Sequence, residues 1–121
     1  MRSRTIRAVA VVKDLFFVAR FRETARLAGA ALAFARTPVE LRAALAEPTD
    51  LVLLDLTAPG WDYEPFFAEL AAQATSLPVL GITTHALARQ TQPLHARCAR
   101  VVTRETLTQE LGTILKEGIA V

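Results

Sequence analysis

An unbroken run of apolar residues that ends in a carboxylate is the feature that most constrains the fold of this chain. Leu51 to Leu54 are all apolar, Asp55 follows them, and the pair Pro59-Gly60 comes soon after. An uninterrupted apolar run of this kind is typical of a strand buried on both faces of a parallel sheet. Because open α/β sheets bind ligands at the carboxyl ends of their strands, we expect Asp55 to lie at a functional edge.

The rest of the sequence alternates between short apolar runs and segments with helical periodicity. Strands are predicted at residues 6–12, 31–35, 51–55, 77–82 and 99–103. Helices are predicted at residues 14–28, from 38 to the turn at 48–50, at 62–74, at 84–92 and from 105 onward. This alternation predicts an α/β fold of the flavodoxin-like type. It is a three-layer sandwich in which five helices flank a five-stranded parallel sheet with the strand order 2-1-3-4-5.

Individual residues set the expected ends of some helices. Asp14 is of the type that caps the start of a helix, and Gly29 is a natural stop. The segment 84–92 is expected to be a poor helix, because Thr91 and Pro93 weaken its end.

Length and composition point to a single small domain. A chain of 121 residues is expected to form one domain over 1–121, with no room for a separate output module. No apolar run approaches the roughly 20 residues of a membrane span, and the basic start does not fit a signal peptide, so a cytoplasmic protein is expected. The one cysteine, Cys98, excludes an internal disulfide and a cysteine-rich zinc site.

Motifs of common enzyme classes are missing from the sequence. The glycines are scattered, so there is no phosphate-binding loop, and no serine lies in a nucleophile-elbow motif. His85 and His95 have no second ligand at metal spacing, so packing or surface roles are expected for both. The chain is therefore expected not to be an enzyme. A small flavodoxin-like enzyme or ligand-binding domain that uses the same sheet edge stays open as a rival.

Residues 55–62 read Asp-Leu-Thr-Ala-Pro-Gly-Trp-Asp after the apolar run. This stretch resembles the third strand and following loop of a response-regulator receiver domain, which commonly reads Asp-Leu-x-x-Pro-Gly-x-Asp. The resemblance implies that Asp55 is the candidate phosphoacceptor and that Thr83 matches the hydroxyl that bonds the phosphoryl group. It also implies a Mg²⁺ site formed by Asp14, Asp55 and the backbone carbonyl of Thr57.

Two positions depart from the receiver pattern. Lys13 stands where receivers usually have the first of two acidic residues, and Thr103 stands where they have a lysine. The Lys13 ammonium would compete with Mg²⁺ for the carboxylates of Asp14 and Asp55. Two carboxylates, a carbonyl and waters can still hold the ion weakly, but the favoured hypothesis is a metal-free pocket neutralised by Lys13. Arg104, next to Thr103 along the strand, is expected to point to the opposite face.

These departures favour a pseudo-receiver, a receiver-like signalling protein that acts through protein–protein binding without phosphorylation. Neither Val101 nor Arg100 supplies the aromatic residue that receivers often carry before that lysine, so the usual threonine–aromatic switch is expected to be absent. The alternative within the family is a working, Mg²⁺-dependent receiver of a phosphorelay that is phosphorylated on Asp55. In that case Lys13 would replace the missing lysine.

The basic residues of the chain suggest where partners would bind. No acidic residue lies between Glu69 and Glu105, so this segment is expected to carry positive potential. A solvated basic surface is the simplest interpretation, and nucleic-acid binding is the least favoured one. The resemblance implies that a histidine kinase, a downstream target or a twin subunit docks on the face formed by the fourth helix, fifth strand and fifth helix. The arginines in or beside that face are Arg89, Arg97, Arg100 and Arg104.

Overall fold

Strands and helices alternate along the chain, and the strand bounds agree with the predicted ones within two residues. The computed structural model describes residues 5–73 and 77–119. The strands are β1 (Arg7–Val11), β2 (Ala31–Ala35), β3 (Leu51–Asp55), β4 (Val79–Thr83) and β5 (Arg100–Thr103). The helices are α1 (Leu15–Ala28), α2 (Pro38–Ala44), α3 (Glu64–Ala71), α4 (Ala88–His95) and α5 (Arg104–Glu117).

The five strands form one parallel sheet in the order β2-β1-β3-β4-β5, which confirms the predicted flavodoxin-like topology. The register pairs Asp55 with Ile82 and Thr83 with Thr103. The last residues of β3, β4 and β5 therefore lie near one another at the carboxyl edge of the sheet.

Helices cover both faces of the sheet and bury its central strand completely. Leu51 to Leu54 are 0% exposed. Alternate side chains of a strand point to opposite faces, so Leu53 joins the core under α1 and α5, whereas Val52 joins the core under α2 and α3. A strand between two apolar layers has no place for a polar side chain until its end, and Asp55 occupies that end.

The ends of α1 follow the residues that predicted them. Asp14 caps the start, because its Oδ1 accepts a hydrogen bond from the Phe16 amide at 2.8 Å. Gly29 ends the helix with a φ of 72°, a left-handed conformation that glycine adopts without steric strain. Across residues 5–73 and 77–119, no helix is both long and apolar enough to cross a membrane.

Helix α4 differs from its prediction at both ends. Residues 84–87 form a turn instead of the first helical turn, because the Thr84 hydroxyl accepts from the Leu87 amide at 3.1 Å. The helix then continues through Pro93 to His95. A proline inside a helix removes one backbone hydrogen bond and crowds the carbonyl four residues earlier, yet α4 runs two residues past Pro93, with Thr91 buried at 5% exposure.

The predicted cap of α3, Asp62, lies one residue before the N-cap position, which Tyr63 occupies without a side-chain capping bond, whereas α5 begins directly after its capping residue. Asp62 Oδ1 accepts from the Glu64 amide at 3.1 Å, and α3 ends at Ala71, inside the predicted range 62–74, of which residue 74 lies outside the described residues. α5 begins at Arg104, one residue before the predicted start at 105, because the Thr103 hydroxyl accepts from the Thr106 amide at 3.3 Å.

Candidate functional site

Four side chains meet at the carboxyl edge of the sheet, and we call these four residues the acceptor pocket. They come from the start of α1, the end of β3, the loop after β3 and the start of α5. The residues are Asp14, Asp55, Thr57 and Arg104. They meet because β1 and β3 are neighbours in the sheet and α1 and α5 share the core on one of its faces.

Asp55 is buried, and its own loop holds its carboxylate. The side chain is 2% exposed. The Thr57 amide donates to Asp55 Oδ1 at 2.9 Å, and the Thr57 hydroxyl donates to the same oxygen at 2.6 Å. These two bonds fix the orientation of the carboxylate and leave its Oδ2 facing the rest of the pocket.

The guanidinium of Arg104 lies between the two carboxylates. Its Nη2 is 3.8 Å from Asp55 Oδ2, and its Nη1 is 3.8 Å from Asp14 Oδ2. Nη2 also donates to the Thr57 hydroxyl at 3.2 Å. The group lies over the ring of Phe17, 4.2 Å from its centroid, which adds a cation–π contact. One internal cation therefore faces both acidic residues of the pocket.

The expectation that Lys13 supplies this cation is corrected. Lys13 is exposed, and within the described part of the chain no ion pair joins it to Asp14 or Asp55. The alternation of strand side chains, which was expected to turn Arg104 away, does not apply, because β5 ends at Thr103 and Arg104 is the first residue of α5.

The oxygen atoms of the acceptor pocket are not arranged to bind a Mg²⁺ ion in this structure. Mg²⁺ needs oxygen ligands in near-octahedral geometry. Asp14 Oδ1 accepts from the Phe16 amide, Asp55 Oδ1 accepts from Thr57, and both Oδ2 atoms face Arg104. Within residues 5–73 and 77–119, no cluster of three or more His, Cys, Asp or Glu residues could hold a metal ion. In this arrangement Arg104 faces the Asp14 and Asp55 oxygens that the predicted Mg²⁺ site would use, and the Thr57 carbonyl stays a predicted ligand.

The loop after Asp55 is fixed by a tyrosine that the sequence interpretation missed. The Tyr63 hydroxyl donates to the Asp55 carbonyl at 2.7 Å and accepts from the Ala58 amide at 3.1 Å. Burial raises the pKa of Tyr63 to about 12, so the phenol stays protonated and remains a donor. Trp61 packs on Phe66 with ring centroids 4.9 Å apart. This aromatic packing and the two bonds of Tyr63 make the loop a rigid support for Asp55.

Thr83 is the last residue of β4, one residue beyond the predicted end at 82, and its hydroxyl is bonded to α4. Thr83 Oγ1 lies 2.8 Å from Thr91 Oγ1, and Thr91 Oγ1 lies 2.8 Å from His95 Nε2. We call Thr83, Thr91 and His95 the threonine–histidine chain. Sequence interpretation assigned His95 a general packing or surface role. The spacing of four residues between Thr91 and His95 places them on one helix face, but the predicted end of the helix at 92 concealed that relation.

Three of the four arginines expected to form a basic docking face are paired within the chain. Arg97 forms an ion pair with Glu64, Arg100 Nη2 is 3.0 Å from Glu110 Oε1, and Arg104 lies in the acceptor pocket. In the described ranges, Arg89 is the one of the four without an ion pair. The positive potential of this face is therefore smaller than the sequence suggests.

No protein-family model matches the sequence, and no curated protein matches it. Solved structures do match its fold. A receiver domain of a sensor histidine kinase from Pseudomonas aeruginosa superposes with a TM-score of 0.73 at 20% identity, over 93% of this chain and 96% of that one. That structure has a magnesium ion coordinated in its active site cleft.

Two further receivers superpose over nearly their whole length. A response regulator receiver protein from Burkholderia phymatum gives a TM-score of 0.71 at 23% identity, over 97% of this chain and 98% of that one. A chemotaxis response regulator of Vibrio cholerae gives 0.71 at 20% identity, over 92% of this chain and 99% of that one. The predicted resemblance to receivers is therefore confirmed at the level of the fold.

Proposed function

We propose that this chain is a receiver-type signal-transduction domain that acts by binding other proteins and whose acceptor pocket is partly neutralised by an internal cation. The observation that carries the proposal is the position of Arg104, which faces the carboxylates of Asp14 and Asp55 at 3.8 Å each. The receiver fold supports the signalling role. The proposal includes a single domain over 1–121, a cytoplasmic location and no enzymatic activity.

The charge arrangement supports a pseudo-receiver. Transfer of a phosphoryl group to a carboxylate depends on cations that stabilise the added negative charge. In this pocket the one cation that faces Asp55 is also paired with Asp14, and Asp55 Oδ1 is held by two donors from Thr57. One cation therefore partly neutralises two carboxylates within the pocket, and the binding surfaces of the domain would not depend on phosphorylation.

Mass spectrometry after incubation with a small-molecule acyl phosphate tests this proposal. We expect the intact protein to gain no phosphoryl adduct, with or without Mg²⁺. Asp55→Asn serves as the site control, and Asp62→Asn, a change to an exposed aspartate in the same loop, serves as the matched control. A single adduct on the wild type and on Asp62→Asn that disappears in Asp55→Asn would contradict the proposal.

A working phospho-receiver is the second candidate, and one observation favours it. Among the residues that the structure describes, Arg104 Nε is buried without a hydrogen-bond partner, and Nη2 of the same group lies 3.8 Å from Asp55 Oδ2. Guanidinium groups bind phosphoryl oxygens well, because their N–H groups match the geometry of these oxygens. In this case Arg104, in place of Lys13, would take the role of the missing lysine. An adduct that is lost in Arg104→Ala and kept in Lys13→Ala would support this candidate.

The proposed partner surface lies on α4, β5 and α5, where a histidine kinase, a downstream target or a second copy would dock. Arg89 is exposed and free of ion pairs in the described ranges, whereas Arg100 is engaged by Glu110. Charge reversal at Arg89 should therefore weaken binding of an acidic partner more than charge reversal at Arg100. Equal binding by both variants and the wild type would remove the basic surface from the proposal.

A further inference from the structure

Within the residues that the structure describes, buried polar side chains are rare. They lie on β3, β4 and α4. Within the described ranges, the buried polar or charged residues are Asp55 at 2%, Thr83 at 3% and Thr91 at 5% exposure. Asp55 belongs to the acceptor pocket. Thr83 and Thr91 bond to each other and, through Thr91, to His95 of α4. Hydroxyl groups in an apolar interior need partners, so this chain of contacts strongly constrains where each proton points.

The number of protons available to Thr91 limits the possible arrangements. A threonine hydroxyl has one proton and two lone pairs. Thr91 Oγ1 has three neighbours: Thr83 Oγ1 at 2.8 Å, His95 Nε2 at 2.8 Å and the Ala88 carbonyl at 3.2 Å. The carbonyl can only accept. All three contacts are hydrogen bonds when Thr91 donates to Ala88 and accepts from both Thr83 and an Nε2–H of His95.

The other arrangements differ in what Thr83 can offer to the acceptor pocket. If His95 Nε2 carries no proton, Thr91 must donate to it, and Thr83 must then donate to Thr91. If Nε2 carries a proton, Thr91 is free to donate to Thr83 instead, and the Thr83 proton can turn away from α4. Only a protonated Nε2 therefore allows the Thr83 hydroxyl to donate at the carboxyl edge of the sheet.

We infer that Thr91 and His95 are positioning residues that set the direction in which the Thr83 hydroxyl donates. This inference rests on the proposed function and deepens it, because it names where a partner on the α4 side would act on the pocket. His95 is half-buried, and its Nδ1 has no hydrogen bond within the part of the chain that the structure describes. A partner group that donates to Nδ1 moves the ring proton to Nε2, and the Thr83 proton can then turn away from Thr91 when Thr91 gives up its bond to the Ala88 carbonyl and donates to Thr83. A partner carbonyl that accepts from Nδ1–H in the neutral ring leaves Nε2 without a proton. The Thr83 hydroxyl then keeps donating its hydrogen bond to Thr91.

Nuclear magnetic resonance on the free, labelled protein tests whether His95 acts on Thr83 through the Thr91 hydroxyl. We call this coupling the relay. The readouts are the amide and methyl signals of Thr83 and the side-chain N–H signal of Arg104. We expect His95→Ala to shift the Thr83 signals in the wild-type background and to leave them in place in a Thr91→Val background. Thr91→Ser keeps the hydroxyl and should restore the response to His95→Ala. Gln92→Ala, an exposed change on the same helix, is the matched control and should leave Thr83 unchanged.

The relay is overturned if His95→Ala shifts the Thr83 signals equally with and without the Thr91 hydroxyl, or does not shift them at all. If Thr91→Val does not fold, Thr91→Ala takes its place in the same comparison. In the wild type, the proton of the His95 ring is assigned directly from the nitrogen shifts of the imidazole. No phosphodonor or partner is present, so an adduct on Asp55, which would contradict the proposed function, leaves this outcome unaffected. Absence of the relay leaves the proposed function standing.

Discussion

The carboxyl edge of the sheet is built in two different ways on its two sides. Toward α1 and α5, the acceptor pocket brings charged groups to within 3.8 Å of each other. Toward α4, the threonine–histidine chain joins two hydroxyls and an imidazole at 2.8 Å. The ends of β3 and β4, which carry Asp55 and Thr83, are neighbours in the sheet, so both arrangements belong to the same edge.

The interactions on the two sides differ in how strongly they depend on direction. Ion pairs are weakly directional, and the side chain of Arg104 is 39% exposed, so water and salt can screen its attraction to the carboxylates. Hydrogen bonds between buried hydroxyls depend on where each proton points. The acceptor pocket therefore sets the charge at this edge of the sheet. The threonine–histidine chain sets the direction in which the Thr83 hydroxyl donates its hydrogen bond.

Removal of the cation should have the largest effect. Breaking a fully buried ion pair costs about 3–5 kcal/mol. Because Arg104 is partly exposed, we expect Arg104→Met to lower the free energy of unfolding by about 2–3 kcal/mol, as measured by urea denaturation. In an Asp55→Asn background the same change should cost clearly less, since the buried charge is gone. Equal losses in both backgrounds would show that Arg104 acts through packing alone.

Removal of the middle hydroxyl should have the next largest effect. Thr91→Val leaves the buried Thr83 hydroxyl without its partner, and such a loss costs about 1–2 kcal/mol. Thr91→Ser should lose clearly less, because it keeps the hydroxyl. Similar losses for the two variants, again from urea denaturation, would indicate that the methyl group of Thr91 contributes as much to stability as its hydroxyl does.

Tyr63, which supports the loop between the two sides, should give a smaller effect with a distinct pH dependence. Tyr63→Phe removes the donor to the Asp55 carbonyl and should cost about 1 kcal/mol at neutral pH. The folded protein raises the pKa of Tyr63 from 10.0 to about 12. Its contribution is therefore complete below pH 10 and is lost as the pH rises toward 12.

The chain has one tyrosine, so phenolate absorbance reports Tyr63 alone. In an alkaline titration, we expect the folded protein to form phenolate at higher pH than the urea-unfolded protein does. In Tyr63→Phe, the free energy of unfolding should fall less than in the wild type as the pH rises, because the variant has no phenol to ionise. Titration of the folded protein with the pKa of an ordinary tyrosine would contradict the burial of the Tyr63 phenol.

The smallest effect is expected at a surface ion pair. Arg100 and Glu110 are 3.0 Å apart, with side chains 43% and 41% exposed. Exposed pairs contribute about 0.2–1 kcal/mol and are screened by salt. Arg100→Ala should therefore change the free energy of unfolding far less than Arg104→Met does. A loss as large as that of Arg104→Met would remove the distinction between the pocket cation and the surface cations.

Sequence alone was sufficient for the fold and for the position of Asp55. The reason is physical: a buried parallel strand must be apolar along its length, so residues 51–54 could be assigned, and the carboxylate after them had to lie at the edge. Two features could not be predicted, because each depends on a helix boundary. The start of α5 at Arg104 reverses the expected orientation of that arginine, and the extension of α4 to His95 creates the contact with Thr91.

The central claim is that Arg104 takes the place of a metal ion in the acceptor pocket, and a Mg²⁺ titration tests it most directly. Trp61, the one tryptophan of the chain, packs in the loop after Asp55 and serves as the fluorescent reporter. We predict no saturable response of the wild type to Mg²⁺ and a saturable response of Arg104→Ala, with Arg89→Ala as the matched control that behaves like the wild type. Saturable binding by the wild type that Arg104→Ala leaves unchanged would contradict the claim.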